Sequence, residues 1–290
     1  MEEKVELYKF RTLGERFLAT NDFVRWNWNV LLKNILPVGL LLALPTGFCM
    51  QYYMQSVFAM MENPIPIAAI NWWAYAGLII TSMLFTLYLY ALTGAILYKY
   101  AQNSLTPETG WADLKKDFFP IAGKVFLQSC IMGLAVLVFS AIMIVVVSLM
   151  GLPDFKSIAV IITLLFGILF IALLLIFTPG FALMQYPIFF ERASAWKGIT
   201  KGFRWGLKYW GSTFLAYFLG GLILMVCVYI LAMPYTIYTV FHIVNMGAGG
   251  WLGYLLSILL FVAVLFLQPL YVIFMGFQYT SIASRLSSAN

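Results

Sequence analysis

Charge is scarce in this 290-residue chain: Asp, Glu, Lys and Arg together make up 10% of it, against about 25% in a soluble domain. Hydrophobic residues reach 63% and the mean hydropathy is +0.93. No soluble fold hides that much apolar surface, so lipid must cover part of it. Histidine is limited to His242, which excludes metal centres that need several imidazoles. A Ser-His-Asp triad would have to form around His242, with Glu62 and Asp154 as the nearest acids on its side. No G-x-S-x-G, H-E-x-x-H or P-loop pattern occurs. The three cysteines, Cys49, Cys130 and Cys227, sit singly inside apolar stretches. Without a CxxC pair they indicate neither a disulfide framework nor a zinc site. No cofactor is implied. The N-terminal residues also lack the short apolar core of a signal peptide, so the first membrane helix is expected to act as an uncleaved anchor.

What is present is a set of six long apolar runs: Leu31–Phe58, Ile70–Tyr98, Val125–Met150, Ile158–Tyr186, Trp210–Met233 and Leu252–Tyr279. Each exceeds the ~20 residues needed to span a bilayer. None alternates with period two, which disfavours a β-barrel. Of the seventeen Lys and Arg residues, only Lys156 falls in the first, third or fifth gap; the rest lie in the N-terminal segment, the even gaps, the inner ends of runs and the tail. Short loops rich in Lys and Arg stay in the cytoplasm. The pattern predicts an all-α polytopic membrane helix bundle, six spans in three hairpins, with both termini cytoplasmic and the inner membrane of a bacterium as its location. The same bias accounts for the formal charge of +6, so nucleic-acid binding is not implied.

The two inner gaps carry related segments. Trp111-Ala112-Asp113-Leu114-Lys115-Lys116-Asp117-Phe118 and Trp196-Lys197-Gly198-Ile199-Thr200-Lys201-Gly202-Phe203 share a W-x-x-(L/I)-x-K-x-F spacing. Each precedes a hairpin, and Thr12–Trp28 precedes the first. The expected organisation is one membrane domain, residues 1–290, of three repeats of about 12–100, 107–190 and 193–285. In the third copy Trp196, Ile199 and Phe203 share one helical face, while Lys197, Lys201, Arg204 and Lys208 share another. Such a helix is expected to lie in the interface with its cations toward anionic headgroups. The candidate headgroup contacts are Trp111, Lys115, Lys116, Trp196, Lys197, Lys201, Arg204 and Lys208.

The apolar runs contain helix breakers. Pro45 with Gly47, and Pro179 with Gly180, are candidate breaks, because a proline removes one ladder hydrogen bond. Pro45 deprives the Leu41 carbonyl of its donor and Pro179 does the same to Leu175. Both breaks are expected to face the bundle interior, with the freed carbonyls served by a neighbouring helix, by a hydroxyl such as Thr46 or Thr178, or by water. Polar residues deep in the runs are neutral, among them Gln51, Thr81, Ser82, Gln128 and Ser129. An ion-coupled transporter usually places an ionisable group there.

Tyr186-Pro187-Ile188-Phe189-Phe190-Glu191, then Ser194-Ala195-Trp196-Lys197-Gly198-Ile199 and Phe203 to Tyr209-Trp210, resembles the multi-helix membrane domain associated with some glycerophosphodiester phosphodiesterases, and related stand-alone bacterial membrane proteins of unknown role. Leu13-Gly14-Glu15 and Asn21-Asp22-Phe23 are similar to openings in such proteins. Gly202-Phe203 departs from the family's usual Ser-aromatic step. The resemblance implies six helices with interfacial helices before the hairpins, and no catalytic residues.

The reading from sequence is a non-enzymatic membrane protein that interacts with lipids or scaffolds a protein partner through its basic inner face. Its alternative is a transporter or exporter of a hydrophobic or amphiphilic solute. A membrane-embedded lipid enzyme is the third reading.

Overall fold

The structure, a computed structural model, describes residues 5–62, 72–149, 156–244 and 250–288. The outer loops around Asn63–Pro66, Gly151–Asp154 and Asn245–Gly249, and the side chain of His242, lie outside the described residues. The elements are α1 (Leu13–Glu62), α2 (Trp72–Ala101), α3 (Trp111–Leu149), α4 (Lys156–Leu183), α5 (Tyr186–Glu191), α6 (Ala195–Lys208), α7 (Trp210–Val244) and α8 (Trp251–Ser287). No strand occurs among the described residues. Six of the helices are long and apolar enough to cross a membrane, so the chain is an all-α multi-pass membrane protein. It divides into two compact units, residues 1–122 with 218–290, and residues 123–217; the boundaries fall inside α3 and α7.

The first unit is built on α1, α2 and α8. Thr12 opens α1 with a reciprocal cap: its N–H donates to Glu15 Oε2 at 2.7 Å, and the Glu15 N–H donates back to Thr12 Oγ1 at 3.5 Å. Arg16, Ala19, Thr20 and Phe23 then form the buried stripe of the first turns, at the i, i+3, i+4, i+7 spacing of a single helix face. α1 and α8 run antiparallel. At one end the Arg11 N–H donates to Ser281 Oγ at 3.0 Å; at the other Ser257 Oγ donates to the Gly47 carbonyl at 2.8 Å. α2 closes the group, with Tyr88 Oη donating to the Asn34 carbonyl at 2.6 Å and Tyr100 Oη to the Val5 carbonyl at 2.9 Å. The largest buried side chains of this unit include Phe23, Phe85, Leu89, Leu92, Ile96, Phe277 and Tyr279. Burial is densest where α1 begins and α2 and α8 end.

α1 leaves helical geometry at one residue, Asn27 (φ −109°, ψ 16°). Its Nδ2 donates to the Phe23 carbonyl at 2.8 Å, so the side chain serves the i−4 acceptor at the bend. The expected break at Pro45 is corrected by this: the helix passes through Pro45 with helical dihedrals, and likewise through Pro179 in α4.

The short helices expected before each hairpin are realised unequally. Residues from Leu13 to Trp26 precede the bend at Asn27, and Trp28 follows it. The equally long α6 ends on Tyr209 (φ −113°, ψ 40°), and Trp210 follows it. The second copy departs: α3 runs unbroken from Trp111 to Leu149 with Pro120 inside. The position matching Tyr209 is Lys124, which stays helical and donates its Nζ to the Arg192 carbonyl at 2.6 Å. No separate short helix forms there.

Candidate functional site

The densest group of predicted contact residues lies on α6, in the second unit. Ser194 caps it, its Oγ accepting the Lys197 N–H at 3.3 Å. Ala195, Gly198, Ile199, Gly202 and Gly206 are its buried face. The three glycines recur every four residues and face the end of α4. A Cβ on Gly206 would lie 2.5 Å from the carbonyl carbon and oxygen of Pro179. One on Gly202 would lie 2.6 Å from the Met184 nitrogen, and one on Gly198 2.9 Å from the Met184 oxygen. Backbone therefore lies against backbone along the whole helix, the use small residues have at close helix crossings. Gly180 returns the arrangement, because a Cβ there would lie 2.7 Å from the Phe203 ring. Of the three residues expected on the apolar face, Ile199 is buried and Phe203 half-buried, but Trp196 is 64% exposed.

Pro179 and Gly180 are buried, and the expected repair of the Leu175 carbonyl is present. The Trp210 indole N–H donates to the carbonyls of Leu175 at 3.3 Å and Ile176 at 3.2 Å. Thr178 Oγ1 serves Leu174 at 2.5 Å. Pro45 is different: it is exposed, with its neighbours Thr46 and Gly47 buried. Thr46 Oγ1 donates to Leu42 at 2.7 Å, one residue beyond the carbonyl that Pro45 frees. Gly47 does admit a neighbouring backbone, since its Cβ would meet Ile258 Cα at 2.6 Å. So the glycine of that pair faces the interior and the proline does not.

α5 ends at Arg192, which takes the left-handed conformation (φ 56°, ψ 24°). That turn brings Glu191 back over α6. Glu191, Ala193, Lys197, Thr200, Lys201, Arg204 and Trp205 line a cleft of about 310 Å³. Lys201 is committed within it: Nζ lies 2.5 Å from Glu191 Oε2 and 4.3 Å from the centre of the Trp205 ring. Lys197 and Arg204, one turn to either side, are exposed. Lys208 sits 5.7 Å from the Tyr209 ring centre. The cleft thus presents two outward cations beside a cation already neutralised, while the Thr200 hydroxyl donates within its own helix to the Trp196 carbonyl at 3.1 Å.

The other predicted contacts belong to the first unit. Trp111, Lys115 and Lys116 are exposed on the first turns of α3, where Trp111 packs edge-on against Phe118 at 5.0 Å. No cleft among those described includes them.

Other chemistry is sparse. Among the described residues no group of three or more His, Cys, Asp or Glu is placed to hold a metal. Several neutral hydroxyls of the spans bond within their own helices: Thr81 donates to Gly77, Ser82 to Leu78 and Ser129 to Val125. Gln128 instead crosses to α4's end, its Nε2 donating to the Met184 carbonyl at 2.9 Å.

The feature that the sequence reading missed is the Gly198, Gly202, Gly206 series. Its signal was visible as small residues at i, i+4 and i+8. Comparison of the chain with protein-family models, curated proteins and solved structures finds no match.

Proposed function

We propose that this protein is a non-catalytic component of a bacterial cytoplasmic membrane, with both termini inside, that binds anionic lipid headgroups at the α5–α6 cleft. The observation that carries this is the placement of the exposed Lys197 and Arg204 around one cleft on a helix fixed against the end of a span. Cations near an anionic leaflet contribute about 1 kcal/mol each. Two outward cations sharing one cleft suit a phosphate better than a dispersed basic surface does. Under the same reading, the helix from Leu13 to Trp26 and α6 are equivalent parts of two repeats, each turning into its span one residue before a tryptophan.

The test uses the full chain in nanodiscs of zwitterionic lipid with a titrated anionic phospholipid. Lys197→Glu with Arg204→Glu removes two attractions, so anionic lipid binding should fall by roughly thirty-fold or more. Glu191→Gln releases Lys201 and should strengthen binding. A folded double variant that binds like the wild type refutes the assignment.

A further inference from the structure

The first unit contains a second concavity, of opposite chemistry. It is a slot of about 360 Å³ between the start of α1, α7 and α8. Two aromatic pairs bound it. Phe17 stacks on Phe274 at 4.3 Å between ring centres, and Trp28 stacks on Phe266 at 6.4 Å. Those α8 residues are eight apart, so the pairs are separated by roughly 12 Å along the helix. Gly220 lets α7 approach one end, since a Cβ there would lie 2.8 Å from the Phe274 ring. The third wall, Ile223 and Leu224, comes from α7.

We propose that this slot holds one acyl chain of a bilayer phospholipid. Its floor and its mouth differ: Phe274 is 3% exposed, while Ile223 on α7 is 50% exposed. The slot therefore opens sideways past a helix whose surface is almost wholly outward-facing, where a spanning helix meets hydrocarbon. Water is a poor occupant, because a buried water needs two to four polar partners and the walls are mainly aliphatic and aromatic, with Thr20 and Asn21 confined to one end. The volume lies in the range of small-molecule pockets, about 300–1,000 Å³.

Charge decides between a phospholipid tail and a free fatty acid. No Lys, Arg or His lines the slot, so a carboxylate finds no counter-charge in it. At one end Thr20 has its hydroxyl on the Arg16 carbonyl at 2.8 Å, which leaves the exposed amide of Asn21 as a neutral donor suited to an ester. This site lies in a different unit from the α6 cleft, and the inference does not depend on that cleft binding lipid.

The test uses the whole protein in bilayers of zwitterionic phospholipid doped with the same lipid carrying a photoactivatable diazirine in one acyl chain. After irradiation, adducts are mapped by mass spectrometry. Adducts per residue on peptides covering 17–28, 220–227 and 266–274 should exceed those on the exposed face of α4 around Leu165 and Ile168 several-fold. Ile223→Trp fills the mouth and should lower the slot adducts several-fold while the α4 adducts stay unchanged. Excess unlabelled fatty acid should leave the slot adducts in place. Slot labelling at the α4 density overturns the proposal in the wild type alone, whether or not the variant folds. Labelling unaffected by Ile223→Trp, or abolished by free fatty acid, overturns it equally.

Discussion

The packing of α6 makes a sharp prediction about one methyl group. In Gly206→Ala the new Cβ would sit 2.5 Å from both carbonyl atoms of Pro179 and 2.6 Å from the Gly180 nitrogen. All three neighbours are backbone, so no side chain can turn aside. The helix must withdraw by about 1 Å to reach ordinary contact, and that motion also loosens Gly202 from Met184. Overpacking of this kind costs about 1–3 kcal/mol. Alanine simultaneously gains roughly 0.8–1 kcal/mol of helix propensity over glycine, which obscures the single variant. Gly123→Ala in α3 supplies the reference, because nothing lies within 4 Å of a Cβ there. The propensity gain cancels between the two variants, and their difference is the clash alone. At roughly 2–4 °C per kcal/mol, Gly206→Ala should melt several degrees below Gly123→Ala in detergent, followed by tryptophan fluorescence. Equal melting, or a higher value for Gly206→Ala, refutes the backbone contact between α4 and α6.

Two further outcomes are expected. Trp210→Phe removes the donor from the Leu175 and Ile176 carbonyls and should destabilise by about 1–3 kcal/mol; in a Pro179→Ala background, where the backbone regains an N–H for Leu175, that cost should shrink, and a double-mutant cycle with no coupling rejects the repair. Single cysteines at Asn103 and Ser288, in a background lacking the native three, should be shielded from a membrane-impermeant reagent in intact cells, whereas Asn63, Asp154 and Asn245 should react; the reverse pattern inverts the orientation.

The six spans were legible because lipid imposes a single demand, continuous apolar length, that hydropathy reads directly. Their ends were less so. The run beginning at Leu31 belongs to a helix that starts at Leu13, because a bend confined to Asn27 does not end the helix that charges and aromatics marked as separate. At Pro179 the helix does not break, yet the proline is buried and the Leu175 carbonyl has a donor; at Pro45 the proline is exposed and only Gly47 admits a neighbour. Composition shows which carbonyl loses its donor, but not which way the proline faces. The Trp210 donor comes from 35 residues downstream of Leu175, beyond any local pattern. The cations of α6 were found by periodicity. The pairing of Lys201 with Glu191 was not, since it depends on the left-handed turn at Arg192. The acyl slot had no sequence signal, because its walls come from three helices far apart in the chain.

The two units differ in when they can be completed during synthesis. Every glycine contact between α4 and α6 joins neighbouring stretches of chain, so this joint can close soon after α6 leaves the ribosome. α1 meets α2 early, but the side of it that faces α8 has no such local partner: Arg11 waits for Ser281 across 270 residues, and Gly47 for Ser257 across 210. At ~5–20 residues per second that delay is roughly ten to fifty seconds. Throughout it the Thr46, Gly47 and Gln51 notch of α1 lacks the α8 surface that covers it in the finished protein. A chain halted before α8 would therefore keep the α4–α6 joint and present an unfinished first helix to whatever machinery inspects newly inserted membrane proteins.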